Sequence, residues 1–265
     1  MTGRIRMTFD GGIAEVVMNR PDKLNALDMT MFDALVAAGD ALRSMAGLRA
    51  VVLSGAGKSF CAGIDLLSLQ GAAGSGLADL QPRTHGTANK FQMAVLQWRE
   101  LPVPVIAAVH GHALGGGFQI MLGADIRVVA PSARLAVREI HWGIVPDLAG
   151  TALMRSVARD DVIRELTYTG REFSGRDALS FGFATRLSGR PLETALALAR
   201  DIAGANPHAI RAAKRLLNKA AAGAPTRDLL LEESREQEAL IGSSNQREAV
   251  AANFAKRTPR FADCC

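Results

Sequence analysis

The sequence predicts a mixed α/β fold, and three observations support this class. Runs rich in β-branched residues, such as Val51–Leu53 and Val105–Val109, alternate with stretches whose apolar residues recur at helical spacing. Such alternation is typical of strands connected by helices. The final stretch, beyond Asn206, is charged and helical in pattern. A chain of 265 residues can form one large domain with a helical appendage.

The first predicted elements are a hairpin and a helix. Arg4–Met18 contains two strand-like stretches separated by Asp10–Gly12, a combination typical of a β-hairpin. Asp28 is expected to cap the helix that follows, because apolar residues recur after it at helical spacing. These residues are Met31, Phe32, Leu35, Val36 and Leu42. Together they predict a strand-strand-helix unit.

The next strands are predicted at Ala50–Leu53, Val105–Val109 and Ile126–Val129. After the second of these come three consecutive glycines, Gly115–Gly117, and then a helical pattern. Glycine allows turns and close approaches that a side chain forbids, and the first turn of a helix has unpaired N–H groups that attract negative charge. The simpler interpretation is a turn that only packs a helix against a strand.

The remaining chain predicts further helices and strands. Tyr168–Leu187 predicts a strand, a helix beginning near Ser174 and another strand, and Pro191–Ala203 predicts a helix. We divide the chain into a core, residues 1–205, and a helical segment, residues 206–265. Residues 67–90 are rich in Gly and Ser and predict either an ordinary surface loop or a lid over a pocket.

The formal net charge of +5 suits an anionic partner. Nucleic acid is not expected, because the basic residues are scattered and Tyr168 is the one tyrosine of the sequence. A membrane span is not expected either: the uncharged stretch 102–123 contains prolines, histidines and four glycines between Gly111 and Gly117.

The cysteines indicate a reducing compartment. Cys61 lies within a loop motif, and the adjacent pair Cys264 and Cys265 has neither metal-ligand spacing nor disulfide geometry. Charged residues near the N-terminus argue against a signal peptide, so we expect a cytoplasmic protein. No metal site is expected, because the His110–His112 stretch lacks the spacing and carboxylates of a zinc site.

Three motifs together resemble the crotonase family, also called the enoyl-CoA hydratase/isomerase family. They are NRPDKLNAL at Asn19–Leu27, VVLSGAGKSFCAGIDL at Val51–Leu66 and the glycine turn within Val105–Asp125. Their order and spacing match the family over nearly the whole chain. The resemblance implies a spiral of β-β-α units with a C-terminal helical segment that assembles trimers or hexamers. It also implies that residues 67–90 lie over an acyl pocket.

The resemblance implies a site for an acyl-CoA thioester, with coenzyme A as part of the substrate and no separate cofactor. The backbone N–H groups of Ile64 and Gly116 would form an oxyanion hole around the thioester carbonyl, where such donors typically contribute ~3 kcal/mol each. The expected substrate-binding positions are Lys23, Leu24, Ala62, Gly63, Asp65, Gly115, Gln119 and Trp142. His141 is expected beside Trp142 in the pocket wall.

Enolate chemistry also needs carboxylates to move protons. Hydratases of this family have one glutamate at the position of Gln119 and a second at the position of Glu139, so one of their two acids is replaced by an amide that cannot act as a base. Asp147 follows Glu139 at the spacing found in dienoyl-CoA isomerases. That subgroup has an aspartate where this chain has Gln119, so the match is incomplete. Double-bond isomerisation by Glu139 and Asp147 is the favoured reaction.

Other interpretations stay open at this point. The enzyme could hydrate a 2-enoyl-CoA, with Asp147 replacing the missing acid, or Asp147 could act as a nucleophile toward an aryl-CoA or another acyl-CoA. The chain could also bind CoA or RNA without catalysis. Finally, both acids could be structural, with Asp147 as a cap or turn residue and Glu139 paired with Arg138 or Arg134.

Overall fold

The computed structural model describes residues 3–65 and 80–263, in which strands and helices alternate as expected. The described strands are β1 (Ile5–Asp10), β2 (Ile13–Met18), β3 (Ala50–Gly55), β4 (Val105–Val109), β5 (His112–Leu114), β6 (Ile126–Val129), β7 (Arg134–Ala136), β8 (Phe173–Ser174) and β9 (Arg186–Leu187). The described α-helices are α1 (Met29–Arg43), α2 (Lys90–Glu100), α3 (Gly116–Gly123), α4 (Gly150–Met154), α5 (Asp160–Thr169), α6 (Gly175–Phe181), α7 (Pro191–Ala203), α8 (Pro207–Ala221), α9 (Thr226–Leu240) and α10 (Ser244–Phe254). Within residues 3–65 and 80–263, two 3₁₀ helices cover Pro21–Lys23 and Glu139–Trp142.

The described strands form two sheets. The larger sheet has the order β1-β2-β3-β4-β6-β9, in which β1 and β2 are an antiparallel hairpin and the other neighbours are parallel. The smaller sheet has the order β5-β7-β8. The chain alternates between them, because β4 and β6 belong to the larger sheet whereas β5 and β7, which follow them, belong to the smaller one. This winding confirms the predicted spiral of β-β-α units.

The larger sheet is covered on both faces, which explains why β3 and β4 are almost entirely apolar. One face belongs to the main hydrophobic core, together with α1 and α2. The other face packs against α7 through a row of small residues, Ala195, Ala199 and Ala203. The four-residue spacing places these alanines on one side of α7, so the helix can approach the strands closely.

The N-terminal prediction is confirmed. The hairpin turns at Gly11–Gly12, and the Asp28 side chain caps α1 by accepting a hydrogen bond of 2.8 Å from the Met31 N–H. The prediction for Tyr168 is wrong, because this residue lies in α5 with an exposed side chain. The local strand, β8, is limited to two residues and ends at Ser174. The helix α6 begins directly after Ser174, close to the predicted start, and the Ser174 side chain caps it.

Part of the predicted loop at 67–90, residues 67–79, lies outside the described residues. Its described end leads into α2, where Asn89 accepts a hydrogen bond from the Gln92 N–H and the Gln92 side chain accepts one from the Asn89 N–H. This reciprocal cap begins a helix that contributes Phe91 and Trp98 to the core. The question of a lid stays a prediction.

The helix α8 is anchored to the core by a buried lysine. The Lys214 ammonium donates to the carbonyl oxygens of Trp98 and Val103, at 3.1 and 2.8 Å, and to Asp125 Oδ2 at 2.7 Å. Burial lowers the pKa of Lys214, and the charge of Asp125 opposes this effect. The boundary at residue 205 therefore separates segments that are in contact, and its meaning as a domain boundary stays a prediction. Within the described part of the chain, no helix has the length and apolar character needed to cross a membrane.

Candidate active site

The glycine turn joins β5 to α3 in a conformation that requires glycine. Gly115 has a φ of +48°, and a Cβ there would lie 3.3 Å from Glu139 Oε1. A Cβ at Gly117 would lie 2.3 Å from the carbonyl oxygen of Cys61. The absence of side chains therefore allows the start of α3 to lie directly against the Cys61–Asp65 loop.

The Cys61–Asp65 loop is held by backbone hydrogen bonds on both sides. The Cys61 N–H donates to His112 O, and the Leu114 N–H donates to Cys61 O, at 2.9 and 3.1 Å. On the other side, Leu27 N–H donates to Gly63 O and Asp65 N–H donates to Leu27 O. This parallel bridge uses the Gly63 carbonyl oxygen and the Asp65 N–H, on either side of Ile64, and leaves the Ile64 N–H out.

Two unpaired amides lie close together as a result. A Cβ on Gly63 would lie 3.6 Å from the Gly116 nitrogen, so the residue before Ile64 adjoins the first residue of α3. Neither the Ile64 N–H nor the Gly116 N–H has a hydrogen-bond acceptor among residues 3–65 and 80–263. The two groups are available to bind an oxygen that carries negative charge.

These amides border a cavity of about 960 Å³. Every predicted site residue except Leu24 and His141 lines it. These residues are Lys23, Ala62, Gly63, Ile64, Asp65, Gly115, Gly116, Gln119, Glu139, Trp142 and Asp147. Leu24 is not among the lining residues; instead its carbonyl oxygen accepts a hydrogen bond of 3.0 Å from the Ala62 N–H. Leu24 therefore supports the loop that borders the cavity.

Sequence reasoning missed most of the apolar lining. These residues are Ala26, Phe32, Leu80, Leu114, Ile144, Val145 and Leu148. They come from separate segments, and each belongs to an ordinary apolar pattern, so no local signal distinguished them from the core. Phe91 belongs to both the hydrophobic core and the cavity lining.

Glu139 is the most buried acid of the cavity. It begins the 3₁₀ helix after β7, and its Oε1 accepts a hydrogen bond of 2.6 Å from Gln119 Nε2. Burial raises the pKa of Glu139, and the nearby charge of Asp147 raises it further, while the Gln119 hydrogen bond favours the ionised form and opposes them. Oε2 is buried and has no hydrogen-bond partner in the described part of the protein.

The structural alternative for Glu139 is not observed. Arg134 and Arg138 both pair with Glu172 instead, at 2.6 and 3.2 Å. Glu139 is therefore a buried acid beside a cavity with no cationic partner among the described residues. Such groups are rare in structural roles, because an unpaired buried charge is costly.

Asp147 lies in the turn between the 3₁₀ helix and α4. The residue that precedes α4 is Ala149, with a φ of +66°, so Asp147 is not the cap of that helix. Its side chain is half-buried, and burial raises the pKa of Asp147. The cavity therefore contains two acids whose ionised forms are both disfavoured by their surroundings.

Gln119 connects these two acids. It lies on α3, one turn beyond the glycine turn, and is almost fully buried. Its Oε1 accepts hydrogen bonds from Leu148 N–H and Gly150 N–H, both at 2.9 Å, and its Nε2 donates to Glu139. The amides of Leu148 and Gly150 were not predicted from the sequence, because backbone donors leave no signal in residue type.

The polar groups at the entrance are partly paired. Asp65 forms an ion pair of 2.6 Å with Arg20, which also donates to Ala26 O. Lys23 lies in the first 3₁₀ helix and is exposed. Asn25 supports this segment by donating to Ala56 O and Ser59 O, at 2.9 and 2.8 Å. The Asn19–Leu27 motif thus forms one side of the cavity.

The nearby histidines hold loops. His110 Nε2 lies 3.0 Å from Gly57 O, and His112 Nδ1 lies 2.8 Å from Ser59 Oγ. His141 Nε2 lies 3.2 Å from Thr169 O, and this residue is not among the cavity lining, unlike Trp142. The expectation that His141 forms part of the pocket wall is therefore wrong.

Cys61 is adjacent to the cavity but poorly suited to act as a nucleophile. Its thiol donates to Asn25 O at 3.1 Å, and burial raises the pKa of Cys61 to about 12. Among the described residues, no group of three or more His, Cys, Asp or Glu side chains is arranged to hold a metal ion.

Comparison with known proteins agrees with this geometry. The family model described as enoyl-CoA hydratase/isomerase matches residues 8–264. The peroxisomal Delta(3,5)-Delta(2,4)-dienoyl-CoA isomerase of Arabidopsis thaliana is 31% identical over 97% of this chain and 95% of its own length. The carnitinyl-CoA dehydratase of Salmonella arizonae is 32% identical over 98% of this chain and 99% of its own.

The fold agrees as well. The crystal structure of an enoyl-CoA hydratase from Bacillus anthracis matches with a TM-score of 0.85 at 28% identity, covering 97% of this chain and 98% of that one. The relatives thus include proteins named for isomerisation, dehydration and hydration. The family model matches nearly the whole chain, and the two-sheet spiral and the adjacent amides of Ile64 and Gly116 agree with it. This chain belongs to the enoyl-CoA hydratase/isomerase (crotonase) family.

Proposed function

We propose that this protein isomerises the double bonds of an enoyl- or dienoyl-CoA thioester. The observation that carries the proposal is the pairing of two acids, Glu139 and Asp147, along one cavity, with the amide of Gln119 in place of a third acid. Isomerisation needs groups that remove and return protons, and two carboxyl groups of raised pKa meet that need.

The thioester oxygen would bind to the N–H groups of Ile64 and Gly116. These donors stabilise the negative charge that develops when a proton leaves the carbon next to the carbonyl. Because neither N–H donates to a protein acceptor in the described part of the chain, no backbone hydrogen bond has to break when the oxygen binds. The glycine turn therefore has a chemical role in this proposal as well as a packing role.

The acids would then move the protons. In a 3,5-dienoyl thioester, a carboxylate takes a proton from C2, the electron pairs shift along the chain, and a carboxylic acid gives a proton to C6. The product is the 2,4-dienoyl ester, with no atom gained or lost. Coupling between Glu139 and Asp147 favours a state with one ionised and one protonated group, which this exchange requires.

The CoA portion would lie at the entrance of the cavity. We propose that the adenine of CoA lies near Lys23, Leu24, Ala62 and Ile64, and that Gly63 and Asp65 also contact the ligand. Leu24 contributes by supporting Ala62 through its carbonyl oxygen. Trp142, which lines the cavity and is half exposed at 49%, offers an apolar surface for the acyl chain.

Hydration of a 2-enoyl-CoA is the second candidate, and the relatives named as hydratase and dehydratase favour it. Against it, Gln119 uses its oxygen on two backbone amides and its nitrogen on Glu139, so it has little capacity to activate a water molecule. The nucleophilic role for Asp147 and the binding role without catalysis are also decided by the experiment below.

The experiment is a panel of saturated, 2-enoyl, 3-enoyl and 3,5-dienoyl CoA esters, followed by absorbance and product mass. Isomerisation changes the absorbance at constant mass, whereas hydration adds the mass of water. Release of free CoA would support nucleophilic chemistry at Asp147. If every ester is inert while RNA binds tightly and is not displaced by CoA, the catalytic proposal is wrong.

We further propose that the C-terminal helices join copies of this chain into a trimer or a pair of trimers. Large apolar side chains are exposed along α8, α9 and α10 and in the turn after α9. They include Leu217, Leu230, Leu231, Ile241, Val250 and Phe254, the last 87% exposed.

Light scattering coupled to size-exclusion chromatography would test the proposed assembly. Phe254→Asp combined with Leu231→Asp should reduce the mass to one chain, whereas Leu192→Asp, on α7, should not; a monomeric wild type contradicts the proposal.

A further inference from the structure

The orientation of the Gln119 carboxamide is determined by its surroundings. Its oxygen accepts two backbone N–H groups, from Leu148 and Gly150, each at 2.9 Å. If the amide were rotated by 180°, Nε2 would face both of these donors and Oε1 would face the Glu139 carboxyl. In the observed orientation, the amide oxygen of Gln119 faces two donors and its nitrogen donates to an acceptor, Glu139 Oε1.

This orientation distinguishes the two oxygens of Glu139. Oε1 faces an N–H donor at 2.6 Å whether the carboxyl is ionised or neutral. A proton on Glu139 therefore belongs on Oε2, which is buried and lacks a partner in the described part of the protein. The charged side chains that line the cavity beside Glu139 are Lys23, Asp65, Arg138 and Asp147. Of these, Asp147 is the one whose charge raises the pKa of Glu139.

The same carboxamide also determines where the second acid lies. Leu148 and Gly150, which donate to Gln119, are the first and third residues after Asp147 in the chain. The turn that carries Asp147 is thus attached to α3 by one side-chain oxygen, while the nitrogen of that side chain is attached to Glu139. A single residue connects both acids to the helix that begins at Gly116.

We infer that Gln119 is a positioning residue: its carboxamide holds Glu139 by Oε1, reserves Oε2 for proton exchange with the substrate and fixes the Asp147 turn relative to it. This inference deepens the proposed function and rests on it for the identity of the reaction. Gln119 itself holds no exchangeable proton in this scheme. It acts through the acid that it orients.

The test uses Gln119→Met, which preserves length but removes both the donor and the acceptor. The titration of Glu139 is followed by NMR in protein labelled at the glutamate carboxyl carbon, with the resonance assigned through Glu139→Gln. We expect the pKa of Glu139 to be higher in Gln119→Met, because the hydrogen bond that favours its ionised form is lost. In turnover, kcat/KM should fall at least tenfold at the acidic end of the pH profile and recover toward the wild-type value at higher pH.

Two further variants separate positioning from structural support. Gln97→Met is the matched control, because Gln97 is also a buried helical glutamine, but its amide donates to Leu35 O and neither residue lines the cavity. It should lower the melting temperature without moving the titration of Glu139. Gly150→Ala keeps Gln119 but adds a Cβ that would lie 2.5 Å from its Oε1, so it should displace the amide and change the titration in the same direction.

The outcomes decide the inference separately from the proposed function. If wild type converts no enoyl or dienoyl ester, the proposed function fails, while the carboxyl titration still tests the geometry. If Gln119→Met and Gly150→Ala both leave the pKa of Glu139 and the pH profile unchanged and lower only the melting temperature, as Gln97→Met does, the positioning role is wrong. A higher pKa in both variants, absent from Gln97→Met, supports it.

Discussion

Glu139 shows how one residue balances opposing electrostatic effects. Removing a carboxylate from water disfavours its charge, and the neighbouring Asp147 adds to that effect. The hydrogen bond from Gln119 acts in the other direction. Since both acids face the same cavity, their protonation states are coupled, and their titrations belong to the pair.

The two acids can be tested by variants that keep their shape. Glu139→Gln and Asp147→Asn should each lower isomerisation by about 100-fold or more, because the amide cannot transfer a proton. Steady-state kinetics on the ester that the panel identifies provide the measurement. Glu165→Gln and Asp161→Asn are matched controls in exposed ion pairs, and both should retain wild-type turnover. Full activity in Asp147→Asn would remove this residue from the mechanism.

The same residue makes a prediction about stability. Because the pKa of Glu139 is raised by folding, the folded state holds its proton more tightly than the unfolded state. Stability from this group is present below the unfolded pKa and is lost as the pH rises through the folded pKa. Glu139→Gln should therefore raise the melting temperature relative to wild type at pH 8, and the gain should shrink at pH 4. The predicted direction is wrong if the melting-temperature difference between Glu139→Gln and wild type is more favourable to the variant at pH 4 than at pH 8.

At the scale of single elements, the glycine turn has neighbours of two kinds. A Cβ on Gly117 would overlap backbone, the Cys61 carbonyl oxygen at 2.3 Å. A Cβ on Gly116 would meet the ends of two flexible side chains, Leu27 Cδ1 at 2.8 Å and Leu148 Cδ1 at 3.1 Å. Backbone yields less readily than a leucine methyl group, so consecutive glycines should respond differently to alanine.

Gly117→Ala should lower stability by about 1–3 kcal/mol, as in an overpacked core, whereas Gly116→Ala should lower it less. Gly116→Ala should instead reduce turnover at least tenfold, because Leu27 and Leu148 would move beside the N–H that we propose binds the thioester oxygen. Thermal melts and kinetics on both proteins provide the comparison. Equal melting temperatures with normal turnover in Gly116→Ala would show that this glycine is merely a packing residue.

Elements with strong local signals were predictable from the sequence. Asp28 and Ser174 are caps in the structure because a short polar side chain before a helical pattern has a local partner in the helix N–H groups. The strand prediction at Tyr168 is wrong because the helix α5 extends through this residue. That helix begins with acidic residues and buries little apolar surface. A strand of two residues, such as β8, has too little sequence to produce a period.

At the scale of the whole molecule, the spiral brings distant segments to one cavity. Motifs at 19–27, 51–66 and 105–125 could be recognised individually, and nearly all of their predicted site residues line that cavity. The contacts of Gln119 could not be predicted. Two of its partners are backbone amides in a turn that is distant from α3 in sequence and is brought beside it by the fold. Residue type records side-chain chemistry, whereas this contact depends on tertiary structure.

Ligand binding offers a test of the assembled cavity. A ligand that binds only the folded protein stabilises it by about 2.7 kcal/mol at a concentration of 100 Kd, so millimolar CoA should raise the melting temperature by several degrees. ATP at the same concentration controls for a general effect of anions. Lys23→Met should reduce the shift with CoA, whereas Lys256→Met, near the C-terminus, should not. Absence of any shift with CoA would count against the acyl-CoA site.

The buried lysine of α8 has a consequence for the order in which the protein folds. The three acceptors of Lys214 come from the end of α2, from the segment before β4 and from Asp125 at the start of β6. These acceptors meet only after the central strands have paired, so the lysine cannot leave water favourably before then. We therefore expect closure of α8 to be a late, cooperative step in folding, and we expect amide hydrogen exchange in α8 to slow only when the larger sheet is intact.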